Sequence, residues 1–466
     1  MLSVFRNGAG LPSLDPQSLK SWIRPTLGDG STVLIVVQVS MTFLRLFSNL
    51  IITRLLTPEA YGVVGIITAV SYVLTMVTDM GLRAFIVRHE NASDELIQTV
   101  WTIRLIRNII LASIMFLGAD FFASLYNAPE VATAIRVSSA LFIFDAVSSL
   151  AHFTGERERR VIRLSLLDFA QFIFVTTTTI VAAYFLRNYW AIIIASFAGS
   201  TLKILASYFL IPHTPVRIHW NKDLALELWN FSRIIIPASM ISIILTQTDK
   251  FFLANFFPLE ELGKFMLAST IAFAISSLAM QYFTRVFYPR FAQEHRADAE
   301  AAKLKYYEPR RPLTLLIAFG LGGVIGGADL IVRILFNDLY LGAGIYLSII
   351  CLGPLAQLSV FPAELAMVTR GRISTALTAK IIRLCWIAPA GFAAFHFFGP
   401  IAVIVAIFLT EAITIPYFWR LLSKDGILNL REEAAIFGLA ALGCAIGWAG
   451  TMFIEALIAK GILPSF

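Results

Sequence analysis

Near the end of an apolar run, the stretch "TQTDKFF" sets an acid beside a base, Asp249 and Lys250. Arg45, Asp145, Lys203 and Glu411 fall inside other apolar runs. A charge near mid-bilayer costs about 2.5 to 3.5 kcal/mol on insertion scales, so such residues face protein or water and are functional candidates by default. Neighbours on a helix point about 100° apart, so Asp249 and Lys250 do not pair face to face; one is free to face the other half of the chain while the other anchors its helix. Arg45, Lys203 and Lys250 come from three different runs. If they converge, they make a cationic cavity that suits a phosphate or diphosphate, gripped by Arg as a planar fork and by Lys as a point charge. Asp145, Asp249 and Glu411 are then candidates for proton or sodium coupling, since a carboxyl in a partly dry cavity titrates nearer neutrality. The competing reading is structural, with Asp145, Asp249 and Lys250 joined in an interhelical network.

The remaining charges in the runs have plainer explanations. Arg136, Asp79, Asp168 and Glu364 lie within about two turns of a helix end, where snorkelling or a surface pair accounts for them. Asp329 and Arg333 are four residues apart, the spacing of a helix-face ion pair. The sequence holds no "GKS" or "GKT", no "HExxH" and no "GxSxG", and its six His are scattered, which argues against ATP hydrolysis, a metalloprotease or a serine hydrolase. No metal or organic cofactor is expected.

The elements that must position these charges are membrane helices. Of 466 residues 58% are hydrophobic and 14% charged, and mean hydropathy is +0.77, against roughly 25% charged in a soluble domain. Runs of about 20 apolar residues recur from Ser31 onward, each long enough to cross roughly 30 Å of hydrocarbon, and backbone groups in lipid must be satisfied internally, so the runs are helices. We place thirteen, within a range of 12–14: 31–56, 61–82, 102–125, 130–152, 165–187, 189–212, 231–257, 262–284, 312–336, 343–368, 374–396, 400–420 and 433–458. The chain is therefore expected to be an all-α polytopic membrane protein. Cys351, Cys385 and Cys444 lie in apolar runs and suggest neither disulfides nor a metal site. Residues 1–30, with Asp15, Lys20, Arg24 and Asp29, carry no cleaved signal peptide by pattern.

With the N-terminus inside, 28 of the 37 Lys and Arg fall on the cytoplasmic side and four on the other, Arg54, Arg187, Lys264 and Lys460. The other five, Arg45, Arg136, Lys203, Lys250 and Arg333, lie deeper in spans. That asymmetry supports both the count and the orientation, and it explains the sequence pI of about 9.3 without nucleic acid. The sequon at Asn91 falls in a cytoplasmic loop and is read as chance.

"SNLIITRLLTPEAYGVVGIITA" (Ser48–Ala69) has a counterpart 201 residues later, "DKFFLANFFPLEELGKFMLAST". Glu59 matches Glu260 and Gly62 matches Gly263. Six spans precede the second copy, so two six-helix bundles are expected as parallel repeats, the arrangement that puts a substrate site between halves. The expected organisation is an N-terminal segment 1–30, a first bundle 31–212, a linker 213–230, a second bundle 231–420, and a loop with an additional helix over 421–466. Prolines inside the second bundle only, Pro237, Pro354, Pro362, Pro389 and Pro416, predict that its helices bend while the first bundle moves as a rigid body.

"RLLTPEAYG" (Arg54–Gly62), "TDMGLRAFIVR" (Thr78–Arg88) and "TDKFFLANFFPLEELGKFMLAS" (Thr248–Ser269) together resemble the first, second and seventh helix signatures of the Wzx-type flippases. These form the polysaccharide transport branch of the multidrug/oligosaccharidyl-lipid/polysaccharide exporter superfamily. The resemblance implies a V-shaped pair of bundles around an often cationic cavity. It also implies movement of a polyprenyl-diphosphate-linked oligosaccharide across the bacterial inner membrane by alternating access, in exopolysaccharide, O-antigen or capsule synthesis. By position Asp249 and Lys250 match the family's acid-base pair in the seventh helix; a thirteenth helix departs from the usual twelve or fourteen. The implied partners are the lipid-linked oligosaccharide, membrane lipids, and polysaccharide polymerase and chain-length machinery. A multidrug-type exporter of the same superfamily is the alternative and would lead us to expect a more acidic cavity. An envelope enzyme is disfavoured by short outer loops and absent catalytic motifs, and a scaffold role in polysaccharide assembly could coexist with transport.

Overall fold

A computed structural model describes residues 30–89, 93–158, 160–212, 214–372 and 374–460. The expected N-terminal segment, apart from residue 30, lies outside the described residues, as does Asn91.

Ten described helices are long and apolar enough to span a membrane, and three bent helix pairs bring the total to thirteen. They are α1 (Gly30–Leu55), α2 (Pro58–Val77), α3 (Asp94–Leu117), α4 (Ala132–Val147 and Ala151–Arg157), α5 (Val161–Leu186), α6 (Trp190–Phe209) and α7 (Lys222–Phe256). Then follow α8 (Leu259–Tyr282, carried on to Ala297), α9 (Arg311–Gly326 and Ala328–Leu335), α10 (Ala343–Thr369), α11 (Ser374–Phe398), α12 (Pro400–Phe408 and Ala412–Lys424) and α13 (Leu430–Ala459). Every expected helix is present. The starts differ most where a polar cap was overlooked: Ser93 Oγ accepts from Leu96 N, and Asn221 Oδ1 accepts from Asp223 N and Leu224 N, so α3 and α7 begin eight and nine residues before the expected 102 and 231. Half of the expected linker 213–230 is therefore helix. α2 ends at Val77 instead of 82, because Asp79 Oδ1 accepts from Gly81 N and Gly81 adopts φ +63°.

The helix pairings recur in the two halves. α3 packs on α4 as α9 on α10, α5 on α6 as α11 on α12, α4 on α6 as α10 on α12, and α1 on α5 as α7 on α11. Between the halves α2 lies along α8, and the 201-residue repeat meets itself there. A Cβ on Gly62 would sit 2.4 Å from the Leu259 carbonyl oxygen, and one on Gly263 would sit 1.7 Å from that of Pro58. Leu259 is the repeat counterpart of Pro58, so the two contacts are reciprocal, as across a two-fold axis. Only glycine permits that approach. Tyr340 completes the closure by donating to the Leu56 carbonyl at 3.0 Å and packing edge-on to Tyr61. This closed end is the charge-poor one.

Three spans are broken, one in the first half and two in the second. α4 bends by 49°, α9 by 77° and α12 by 43°. Pro416 sits in the first turn of the α-helix that begins at Ile415, after the 3-10 turn Ala412–Thr414, and α4 is broken in the first half without any proline at the break. The break in α4 is instead held by side chains: Ser149 N donates to Ser207 Oγ, Ser149 Oγ donates to the Ser207 carbonyl, and Trp101 Nε1 donates to the Ser148 carbonyl. Neighbouring helices thereby satisfy the freed backbone groups.

α13 is laminated onto α9 along small residues. Cβ atoms on Gly322, Gly326 and Gly443 would fall 1.9, 2.0 and 2.2 Å from the carbonyl oxygens of Ala440, Cys444 and Phe319. At its charge-rich end fully buried Glu433 pairs with buried Arg310 and accepts hydrogen bonds from Tyr307 and Ser359. Arg333 pairs with Glu455 of α13 at 3.4 Å and not with Asp329 as its spacing suggests.

Candidate functional site

A cavity of about 680 Å³ lies within the first bundle at the break in α4. Its lining includes Arg83, Arg104, Arg107 and Lys203 against Asp79, Asp145 and Asp168, together with His152 and Gln171. α3 supplies two bases on one face, since 104 and 107 are three residues apart. Arg104 is ten residues, about 15 Å, into the helix and only 5% exposed.

Asp145 is the hub. Arg104 reaches its Oδ1 at 2.8 Å and its Oδ2 at 3.3 Å, Asn108 donates to Oδ2 at 2.9 Å, and Lys203 Nζ lies 3.5 Å from Oδ1. The Arg104 guanidinium also donates to Ser148 Oγ at 2.7 Å, tying the hub to the α4 break. The other carboxylates are committed too. Asp79 accepts from Gly81 N and Ser239 Oγ, His152 lies 3.4 Å from Asp168, and Glu156 holds Arg83 by a two-pronged pair at 2.6 and 2.7 Å. Arg107 is the exception. Its Nε donates to the neutral Asn108 at 3.2 Å, and it makes no ion pair among the described residues. Asp145 and Asp79 lie near enough to act on its charge without touching it, so its remaining donors are open to an anion, and Lys203 has two further donors to share.

The second bundle holds a smaller cavity of about 270 Å³, lined by Asp249, Gln357, Lys380, Arg383 and Glu411 among others. Arg383 pairs with Glu411 at 2.6 Å, and Gln357 donates to Glu411 at 3.4 Å. Asp249 accepts from the Lys250 N–H at 2.8 Å. Glu411 stands at the break in α12, as Asp145 stands beside the break in α4.

The six residues singled out by sequence are thus divided. Lys203 and Asp145 meet in the first cavity, and Asp249 and Glu411 line the second. Arg45 lies over the Phe172 ring at 5.7 Å, and Lys250 donates to Gln247 at 3.0 Å; neither lines either cavity, so the three bases do not converge. Asp79 and Asp168, expected at helix ends, face the first cavity, while Arg136 does close a surface pair, with Asp120. The bases that sequence reasoning missed are Arg104, Arg107, Lys380 and Arg383. Starting α3 at 102 counted the first two as loop charges; the Ser93 cap with Asp94 and Glu95 behind it is the signal that would have placed them inside the span. Among the described residues no cluster of three metal-ligating side chains occurs.

Residues 51–344, more than half of the chain, match the family described as polysaccharide biosynthesis protein. The succinoglycan biosynthesis transport protein ExoT of Rhizobium meliloti is 21% identical over 69% of this chain and 65% of its own length. The teichuronic acid biosynthesis protein TuaB of Bacillus subtilis is 17% identical over 65% of this chain and 62% of its own. The match therefore spans just under two thirds of each curated relative. Among solved structures, the lipid II flippase MurJ in an inward closed conformation superposes with a TM-score of 0.65 at 13% identity, covering 92% of this chain and all of that one. At that identity the likeness is one of fold, an all-α polytopic transporter fold.

Proposed function

This chain belongs to the polysaccharide biosynthesis protein family, and from that premise we propose that it is a flippase for a polyprenyl-diphosphate-linked oligosaccharide. The observation that carries the reading is Arg107, a guanidinium with no carboxylate in direct contact, facing a 680 Å³ cavity beside Lys203 and Arg104. A diphosphate supplies two adjacent anionic groups to satisfy it, and the volume leaves room for sugars. In this reading Arg107 and Lys203 hold the diphosphate while Arg104, tied to Asp145 and Ser148, positions them.

The charge-rich face is cytoplasmic and the membrane is the bacterial inner membrane, so the lipid-linked unit enters from the cytoplasmic leaflet while α2 and α8 close the other end. Parting of the Gly62 and Gly263 contacts releases it outward, which is alternating access. Asp249 and Glu411 are the groups available for coupling to a proton or sodium gradient, with Arg383 always charged and released whenever Glu411 takes up a proton. The grouping of Arg104, Arg107 and Lys203 around one carboxylate favours an anion over the cationic drugs of a multidrug exporter. The lack of catalytic motifs favours transport over an enzyme.

Deletion followed by lipid analysis tests the reading. A flippase leaves the complete lipid-linked oligosaccharide accumulated in the cytoplasmic leaflet. Loss of its synthesis would indicate an enzyme instead.

A further inference from the structure

A second, apolar space of about 80 Å³ opens sideways from the main cavity between α5 and α6, sharing Asp168, Gln171 and Lys203 with it. Its own walls are Leu167 and Ala170 of α5 and Leu202, Ala206 and Leu210 of α6. The three α6 residues recur at every fourth position and form one stripe, which begins beside Lys203 and runs toward the charge-rich end. The slot is closed above and below. Toward the charge-poor end α5 and α6 touch: a Cβ on Gly199 would fall 2.3 Å from Val175, and Gln171 Nε2 donates to the Gly199 carbonyl at 3.1 Å. Toward the charge-rich end Ala151, Leu164 and Ile211 form a buried cluster with Leu167 packed against it. The way out is lateral, past exposed Ala170 and Leu210, on spans whose outer faces are apolar.

We propose that this slot holds the first isoprenoid units of the polyprenyl diphosphate, with the diphosphate on Arg107 and Lys203; the inference rests on the reading of the main cavity given above. An amphiphile whose head is bound inside a bundle must lead its chain back to lipid. The slot provides that passage, with its charge at one rim and its carbon walls beyond. Its back-wall hydroxyls, Ser149 and Ser207, are hydrogen-bonded to each other's helices and offer a sugar nothing to bond. The branched chain is thereby separated from the glycan, which stays in the larger, polar cavity.

The test uses the full chain in phosphatidylcholine nanodiscs, with inorganic diphosphate and farnesyl diphosphate as probes. The wild type is expected to bind farnesyl diphosphate about tenfold more tightly than diphosphate, since burying a few methylenes is worth that much. Ala206→Phe fills the slot and removes that advantage while leaving diphosphate affinity unchanged; Leu205→Phe, on the exposed side of the same helix, keeps both. An undiminished farnesyl advantage in Ala206→Phe overturns the slot but not the cationic site. No binding of either probe by the wild type overturns the cationic site and the slot with it. If Ala206→Phe loses both probes, α6 has shifted, and Ala170→Phe from the opposite wall decides by the same criteria. An advantage that added phosphatidylglycerol competes away assigns the slot to ordinary acyl chains and overturns the proposal.

Discussion

The two bundles share their helix pairings, and each opens a cavity beside a broken helix, but the charge in the two cavities is arranged differently. In the first, one carboxylate, Asp145, is shared by Arg104, Lys203 and Asn108, and Arg107 is left over. In the second, Arg383 is matched one to one with Glu411, while Lys380 and Asp249 make no ion pair among the described residues. Arg107 stands beside two further bases in the larger cavity, a cluster that an anion can bridge, whereas Lys380 stands in the smaller one beside a base already matched to its acid. One scaffold thus carries two different charge arrangements in its two halves.

Substitutions across that pair of cavities should separate them. The largest effect is expected from Arg107→Ala, which should lower polysaccharide export on the order of a hundredfold at unchanged protein level, because it removes a charge-assisted fork from the anion. Lys380→Ala in the second cavity should leave export within about twofold by the same assay, and equal loss in both would erase the distinction. Next comes stability. Arg383→Ala strands the Glu411 carboxylate and should cost about 2 kcal/mol in thermal unfolding, most of it recovered in the Arg383→Ala/Glu411→Ala double variant. Failure of the double variant to recover would mean that the pair is not self-contained. The smallest effects belong to Arg45→Ala and Lys250→Ala, each expected to change export by about twofold or less, since neither side chain lines a cavity.

Much of this was legible in the sequence because lipid leaves few options. Apolar run length gave thirteen helices, and a repeat with only two identities marked Gly62 and Gly263 as equivalent, though not that each meets the opposing turn. What the sequence concealed were boundaries and pairings. Arg104 and Arg107 read as loop charges because hydropathy starts a helix at its first apolar residue, whereas Ser93 starts it by capping a backbone N–H. Arg45 sat at the middle of a span and looked central, yet position along a helix says nothing about which face a residue takes, and α1 turns it onto Phe172. The break in α4 escaped prediction because buried side chains at Ser149 and Ser207, with no proline to mark it, stabilise it.

The central claim is that the spare base of the first bundle receives the diphosphate. Equilibrium binding of undecaprenyl diphosphate to the full chain in nanodiscs, compared for the wild type, Arg107→Ala and Lys380→Ala, tests it most directly. The account predicts that Arg107→Ala loses binding while Lys380→Ala retains the wild-type affinity. Wild-type affinity in Arg107→Ala, or loss in Lys380→Ala alone, would contradict it.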